Sequence, residues 1–370
     1  MTETMIKPAL LNAHRGFLPI HDPARAFPES SQLSMLDEIG RDLPHWLEQD
    51  DFHSRVRQLE IPHWPENLDP LEQKPYLRLY YLRLGFLASA YINQTLTSPA
   101  KELPANIAQP LVRACRLLGR PPILSYDGYV LYNWYRLDKD APIELGNIDT
   151  IQNFIAVYDE HWFILIHLVI EAIAESIINA IITISRSLKT GDIDKLNSSL
   201  LNIAQWVNKQ CHVLQRIPEH MDSAIYFKTI QAYTGFFENI QYQNIDMLAM
   251  NYQGQIAAQS SIMPSLIALM KIPHKKTPSL TGHLLDMRKY MPRDHRLFIE
   301  WLENMQDFKS MADKDAFNQV LQAMANFHRI RYGWAEEYAN QHSEDSPVTA
   351  STAYMPWLEQ LIDKTLAHRK

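Results

Sequence analysis

The chain has 370 residues, of which 46% are hydrophobic and 21% charged, so it is long enough for two domains and can bury a large core. Its net charge of −7 gives no pull toward nucleic acid, and no nucleic-acid partner is expected. Two cysteines without a CxxC motif exclude a disulfide framework and thiolate zinc sites, and they fit a reducing compartment. The 11 glycines are too scattered for a GxGxxG or Walker loop, and no GxSxG elbow occurs, which excludes the common nucleotide-binding and hydrolase motifs.

The most apolar stretch runs from Trp162 to Ile184 and is interrupted by His167, Glu171 and Glu175. Ionisable groups are costly in lipid, so we predict a buried core helix here and no membrane association. Residues 1–17 carry charges and contain no continuous apolar block, so no secretory signal is expected. Together with the cysteine usage, these features predict a cytoplasmic protein.

Prolines punctuate the chain from residue 1 to about residue 147. Because proline ends helices, the elements of this part are expected to be short. The pattern predicts helices from Ser31 to Gln49 and from Pro75 to Ile92, with a short strand near Ile123 to Tyr132. Residues 1–147 are therefore predicted to form a smaller, helix-dominated N-terminal domain.

Longer segments with helical periodicity follow, and they predict a large all-helical domain over residues 148–370. The predicted helices are Ile148–Leu188 (as one helix or two), Ile193–Ile217, Ser223–Asn239, Ala257–Met270, Leu280–Tyr290, His295–Gln306, Asp315–Asn340 and Pro356–His368. Bundles of this kind build cofactor sites between facing helices. The predicted fold class is mainly α.

Fifteen histidines invite a metal hypothesis, but HExxH is absent and no predicted helix has a close i, i+4 pair. His328 shares one helix face with the apolar residues Phe317, Leu321 and Met324, and therefore points toward the core. On spacing alone, a buried neutral histidine with a hydrogen-bond partner is favoured. The alternative is an axial haem ligand, for which a single histidine suffices.

His167 also lies on an apolar helix face, with Phe163, Ile164 and Ile170. The structural interpretation is a core histidine with Glu171, one turn further on, as its partner. The functional interpretation is a polar group set into an apolar ligand cavity, where a single hydrogen bond has large leverage. Spacing alone again favours the structural interpretation.

Four blocks resemble the indoleamine 2,3-dioxygenase family, and they occur in the family's order. They are LLGRPPILSYDGYVLYNW at 117–134, AAQSS at 257–261, LLDMRKYMPRDHRLFIEWLE at 284–303 and NFHRIRYGWAEEY at 326–338. The last block resembles the segment that carries the family's proximal histidine, which makes His328 the expected ligand of the haem iron.

The resemblance implies haem b at the interface of a small and a large domain, with dioxygen bound on ferrous iron. It implies insertion of both oxygen atoms into the indole C2–C3 bond of tryptophan, giving N-formylkynurenine. The protein's share of such chemistry is positioning, electronic tuning and exclusion of water. The expected partners are O2 and a small indole, and we expect a monomer or a weak homo-oligomer.

Residues carried over from the family would form the substrate pocket. The small domain would contribute Tyr126 and Tyr129, and the large domain Phe163, Ile164, Tyr226, Phe227 and Ala257. Aromatic groups at these positions would stack on or flank a flat indole. Residues 349–353, with Thr352, resemble a mobile loop that closes over the site, but they lack its glycines.

Three departures from the family concern the site. His167 stands where the family commonly has a small residue and where the related tryptophan dioxygenases have a histidine; it is the candidate catalytic residue, to bond the indole N–H or to donate to dioxygen. Gln231 stands where the family has an arginine that binds the substrate carboxylate, and loss of such a pair weakens binding by roughly 2–5 kcal/mol. Ala325 and Ile267 replace a family arginine–aspartate pair, so no unpaired charge is buried.

Three functions remain open from sequence. The first is a haem oxygenase that cleaves tryptophan or a related indole, with L-tryptophan a poor substrate because of Gln231. The second is a haem or gas-binding protein of the same fold with little or no activity on tryptophan. The third is a helical interaction protein without a cofactor.

Overall fold

Helices make up most of this computed structural model, which describes residues 14–95, 98–254, 257–273, 278–341 and 355–370. Side chains are described throughout these ranges except at 227, 228, 278–280, 335 and 338–341. The predicted mainly α fold is confirmed.

The α-helices follow one another along the whole described chain. In order they are α1 (Met35–Leu47), α2 (Phe52–Arg57), α3 (Lys74–Asn93), α4 (Ala105–Leu118), α5 (Tyr158–Thr190), α6 (Ile193–Leu214), α7 (Ile262–Leu269), α8 (Pro278–Arg288), α9 (Arg293–Glu303), α10 (Lys314–Gln341) and α11 (Met355–Ala367). Short 3-10 turns occur at Gln32–Ser34, Ile217–Glu219 and Ala257–Gln259. A further helical segment, 223–233, consists of Ser223–Ile225, the π-helical turn Tyr226–Ile230 and Gln231–Tyr233.

The strands are short. They are β1 (Glu102–Leu103), β2 (Tyr135–Arg136), β3 (Ile148–Asp149), β4 (Phe237–Tyr242) and β5 (Met250–Tyr252). β4 pairs in parallel with β1 and antiparallel with β5, and β2 pairs antiparallel with β3. The β1–β4 pairing joins the early part of the chain to a segment that follows α6.

Three predicted elements differ from the structure. The predicted strand near Ile123 to Tyr132 is instead a π-helical turn, Asp127–Leu131, because this apolar run is buried on all sides and does not alternate. The predicted helix Ser223–Asn239 ends at Tyr233, and β4 begins at Phe237 after Gly235. The predicted helix from Ile148 begins only at Tyr158.

Two hydrophobic clusters form the core. The first is built mainly by the chain before residue 169 together with β4, and the second by α5, α6, α7, α9 and α10. Helix α5 contributes to both clusters, since Ile164 and Leu168 belong to the first and Ile166 and Ile170 to the second. The domain boundary at residue 147 stays a prediction, since the first cluster draws on both sides of it.

Helix α5 is long and apolar enough to cross a membrane, but 67% of its most apolar 18-residue window is buried inside the protein. It ends at Gly191, whose φ of 73° lies in the left-handed region that favours glycine. Asp192 then caps α6 by accepting a hydrogen bond from the Lys195 amide. This turn brings α6 back along α5, and α10 packs against the other side of α6.

A buried ion triad holds the π-helical turn in place. Asp127, at the start of the turn, accepts hydrogen bonds from Arg78 (2.7 Å) and Arg120, and all three side chains are almost fully buried. Arg120 also donates to the Tyr290 carbonyl at 3.2 Å, which ties the turn to the segment after α8. Burial by itself would raise the pKa of Asp127, but the charges of Arg120 and Arg78 keep it below its ordinary value. Because Tyr126 directly precedes Asp127, the ion triad also holds the backbone of Tyr126 in place.

We expect Asp127→Ala to lower the free energy of unfolding by about 3–5 kcal/mol, because it leaves two buried guanidinium groups without their carboxylate. Urea unfolding followed by circular dichroism measures the loss. The matched control is Asp51→Ala, which removes an exposed carboxylate 3.9 Å from Arg55 and should change stability by less than about 0.5 kcal/mol. Equal effects of the two substitutions would contradict the stabilising role of the triad.

Candidate functional site

A cavity opens between α5, α7, α8, α10 and α11. Most of its wall is apolar, with Ile170 from α5, Ile267 from α7 and Leu361 from α11 among the lining side chains. The C-terminal helix α11 closes one side, where Trp357 stacks on His283 of α8 with ring centroids 4.8 Å apart. His167 and His328 also line this cavity.

His328 of α10 is only 2% exposed, and neither of its ring nitrogens has a hydrogen-bond partner among the described residues. Burial, assisted by the charge of Arg331, lowers its pKa to about 3. The ring is therefore neutral, with a lone pair on one nitrogen, which is the form that binds a metal. Within the described ranges, no three His, Cys, Asp or Glu side chains group to hold a metal ion. A buried, unbonded imidazole on an apolar wall fits haem.

His167 of α5 is 7% exposed and faces the same cavity. Its Nδ1 lies 2.8 Å from the Phe163 carbonyl oxygen; since a carbonyl only accepts, Nδ1 carries the proton of that hydrogen bond. Burial lowers the pKa of His167 to about 4, so the ring is neutral at pH 7. Nε2 therefore presents a lone pair and acts as an acceptor. This hydrogen bond, and not one with Glu171, is the one that satisfies Nδ1.

Glu171, one turn beyond His167, bonds elsewhere. Its Oε1 accepts hydrogen bonds from the Tyr126 hydroxyl at 2.9 Å and the Ser260 hydroxyl at 2.6 Å. The Tyr126 amide donates to Gln259 Oε1 at 2.9 Å. Tyr126 is thus joined to α5 and to the AAQSS block, and its ring meets His167 edge-on at a centroid distance of 6.3 Å.

Further aromatic side chains extend from His167. The Phe163 ring lies 4.4 Å from His167 and 5.3 Å from Tyr226 by centroid. Together with Tyr126, these rings form one continuous aromatic group, of which Tyr126 and His167 line the cavity and Phe163 and Tyr226 do not. The structure therefore brings together the predicted residues Tyr126, Phe163, His167 and Tyr226.

Other predicted site residues lie elsewhere. Tyr129 is fully buried, does not line the cavity, and donates to Glu160 Oε1 at 3.0 Å, since residues three apart on a π-helical turn do not share a face. Ile164 packs in the first hydrophobic cluster. The roles of both residues in substrate binding stay predictions.

The remaining predicted site residues are Ala257, Gln231, Phe227 and Thr352. Ala257 lines the cavity with His328. Gln231 is half-buried on segment 223–233, one π-helical turn beyond Tyr226. The side chain of Phe227, and the whole of Thr352, lie outside the described residues.

Sequence reasoning did not single out two polar side chains of the site, Arg331 and His283, and it gave Glu171 a different hydrogen-bond partner. Arg331 and His283 line the cavity, and Glu171 holds Tyr126. The spacing of Arg331 from His328 was visible, because residues three apart share a helix side, but its surroundings depend on helices distant in sequence. His283 precedes a block that resembles the family and carries no local pattern of its own.

A mainly helical protein with a buried, unbonded histidine on the wall of an apolar cavity has the features of a haem protein. The indoleamine 2,3-dioxygenase family model matches residues 10–365, so the chain belongs to the indoleamine 2,3-dioxygenase family. The predicted resemblance is confirmed. Members of this family are haem-iron-dependent oxidoreductases, and this chain is an enzyme of that class with haem as its cofactor.

Similar proteins span mammals and fungi. Indoleamine 2,3-dioxygenase 1 of Mus musculus is 28% identical over 336 residues, which cover 86% of this chain and 81% of that protein. Indoleamine 2,3-dioxygenase of Saccharomyces cerevisiae is 28% identical over 335 residues, with 84% and 73% covered. Indoleamine 2,3-dioxygenase acdA of Aspergillus candidus is 24% identical over 390 residues, with 95% and 94% covered.

The carboxyl group of Glu171 gives the site a pH-dependent element. Burial raises its pKa from an ordinary 4.5 to about 7, although the Ser260 and Tyr126 hydroxyls oppose the shift. An acid whose folded-state pKa is raised contributes stability that is fully present below its unfolded pKa and is lost as pH rises through the folded value. The stability linked to Glu171 is therefore lost between about pH 4.5 and pH 7.

We expect the free energy of unfolding of the wild type to fall between pH 5 and pH 8 by about 2–3 kcal/mol more than that of Glu171→Gln, which cannot titrate. Urea unfolding at each pH gives the two slopes. The control is Glu175→Gln, one turn further along α5 and half-buried, which should keep the wild-type slope. Identical slopes for Glu171→Gln and the wild type would contradict the assignment of this titration.

Proposed function

We propose that the protein holds haem b through His328 and opens the pyrrole ring of an indole by inserting both atoms of O2 across its C2–C3 bond. The observation that carries the proposal is the buried His328 imidazole, whose two ring nitrogens have no partner among the described residues. When bound, ferrous haem supplies the binding and activation of O2. The protein supplies orientation of the indole and exclusion of water.

His167 orients the indole by accepting its N–H. Because Nδ1 donates to the Phe163 carbonyl, Nε2 carries no proton and cannot donate to oxygen while the ring is neutral. The indole N–H is a donor that matches this lone pair. The Tyr126 ring, which lines the cavity beside His167, offers flat apolar surface to the indole, and the Phe163 and Tyr226 rings pack behind one another from His167 onward.

The substrate we propose is an indole without the carboxylate of tryptophan. The resemblance assigns that carboxylate to an arginine at the position of Gln231, and an amide provides a neutral and weaker contact than a guanidinium fork. L-tryptophan is therefore a poor substrate. The cytoplasm is the proposed location, since Cys115 and Cys211 are both free and buried. A monomer or weak homo-oligomer is the proposed state.

We expect His328→Gly to abolish the Soret absorbance of the haem-loaded protein, because the iron loses its protein ligand. Added imidazole should restore the band by filling the space of the missing side chain. Absorbance spectra of purified, haem-reconstituted protein measure both effects. The control is His212→Gly, which removes an exposed histidine on α6. A normal Soret band in His328→Gly without imidazole would overturn the ligand assignment.

We expect Gln231→Arg to raise kcat/KM for L-tryptophan relative to tryptamine by about ten- to a hundredfold, the usual range for one charge-assisted pair. Ring-opened product is measured by mass spectrometry after reaction of the ferrous enzyme with ¹⁸O2, which also reports whether both oxygen atoms are incorporated. The control is Gln231→Met, which has similar size and no charge and should not favour tryptophan.

Two results would contradict the substrate proposal. Efficient turnover of L-tryptophan by the wild type would show that the guanidinium is dispensable. Absence of ring-opened product from every indole tested would favour a haem protein that binds gas without turning over indoles, for which the neutral Gln231 is the supporting observation.

A further inference from the structure

Arg331 is a cation in the cavity wall that has no counter-ion in the part of the chain that the structure describes. It is half-buried, lies on α10 three residues after His328, and lines the same cavity. No described residue forms a hydrogen bond or ion pair with it. The buried arginines elsewhere behave differently: Arg78 and Arg120 pair with Asp127, and Arg83 pairs with Asp37.

The field of Arg331 reaches both walls of the cavity. After burial, the charge of Arg331 is the further cause that lowers the pKa of His328, and it also acts on the ring of His167. No Asp or Glu lines the cavity within the described residues. A guanidinium in a cavity wall that holds no carboxylate is suited to bind a ligand that brings an anion.

Helix geometry selects the ligand that can supply this anion. Residues three apart lie on nearly the same side of a helix, about 4.5 Å apart along its axis. If His328 reaches the iron at the centre of a porphyrin, Arg331 reaches toward the porphyrin edge from the same side. Haem b carries two propionate carboxylates at its edge, and a carboxylate matches the guanidinium fork.

The same geometry argues against the substrate as the source of the anion. Arg331 shares a helix with His328, whereas the proposed indole site lies at His167 on α5. Ala325, three residues on the other side of His328, stands where the resemblance places a family arginine, and it is fully buried. Arg331 is therefore the cation that this helix contributes to the cavity wall among the described residues.

We propose that Arg331 binds a propionate carboxylate of the haem and thereby fixes its rotational setting in the cavity. The inference rests on the proposed haem site at His328. It concerns affinity for the cofactor and requires no step of the reaction.

The test compares two porphyrins that differ only in their carboxylates. Haem-free protein is titrated with ferric protoporphyrin IX and with its dimethyl ester, and the Soret band reports saturation. We expect Arg331→Met to weaken binding of the acid by about ten- to a hundredfold, as for loss of a charge-assisted pair, and binding of the ester by less than about twofold. Arg331→Lys, which keeps the charge but not the fork, should recover part of the affinity for the acid.

The matched control is Arg329→Met. Arg329 lies on the same helix, is exposed, and does not line the cavity. It should alter binding of neither porphyrin. Far-ultraviolet circular dichroism of each haem-free variant verifies that α10 is intact.

Four outcomes would overturn the proposal in distinguishable ways. Equal weakening of acid and ester by Arg331→Met would assign Arg331 a purely structural role. No weakening of either would remove it from cofactor binding. If Arg331→Met leaves the affinity for haem unchanged but weakens binding of L-tryptophan relative to tryptamine, then Arg331 binds the substrate carboxylate. Failure of the wild type to bind either porphyrin would overturn the proposed haem site as well.

Discussion

Among the described residues, neither ring nitrogen of the buried His328 imidazole has a hydrogen-bond partner, and this is the constraint on which the account of the site depends. Leaving buried polar groups unsatisfied is destabilising by about 1–3 kcal/mol each. This cost applies to His328, which lies in the middle of α10. Helix α10 packs closely against α6 and α11. Under the proposed function, an iron bound at His328 would restore the missing interaction and couple haem binding to the stability of the helical core.

The wall that contains Tyr126 is held in place by buried polar side chains that, unlike His328, have hydrogen-bond partners. Behind Tyr126, the triad of Arg78, Asp127 and Arg120 anchors the π-helical turn. In front, Glu171 accepts the Tyr126 hydroxyl and joins it to Ser260. Tyr126 is therefore fixed from two directions, which is what a side chain that positions a flat substrate requires. His167, one of the departures that the resemblance indicates, lies beside Tyr126 in this framework.

Much of the fold was predictable, because long helices such as α5 and α10 repeat their apolar residues with a helical period. The π-helical turn was mistaken for a strand, since short apolar runs do not reveal their period. The helix from Ser223 was extended too far, because the pairing of β4 with β1 involves residues more than 130 positions apart. Strands that are so far apart in sequence leave no pattern in the local sequence that predicts their pairing.

The site was partly predictable. The apolar stripe of α10 placed His328 inward, but its identification as an iron ligand came from the resemblance, since one axial histidine has no spacing pattern. Glu171 was the expected partner of His167 at i+4, yet the Phe163 carbonyl at i−4 satisfies Nδ1. This contact determines which nitrogen holds the proton and thus that His167 accepts. Whether Arg331 has a counter-ion depends on five helices, and no stretch of sequence encodes it alone.

The measurement that tests this account most directly is a crystal structure of the haem-loaded protein with a bound indole. The account predicts the iron bonded to a ring nitrogen of His328, and the indole N–H within hydrogen-bonding distance of His167 Nε2. Iron bonded to His167 or His283, with His328 still unbonded, would contradict it.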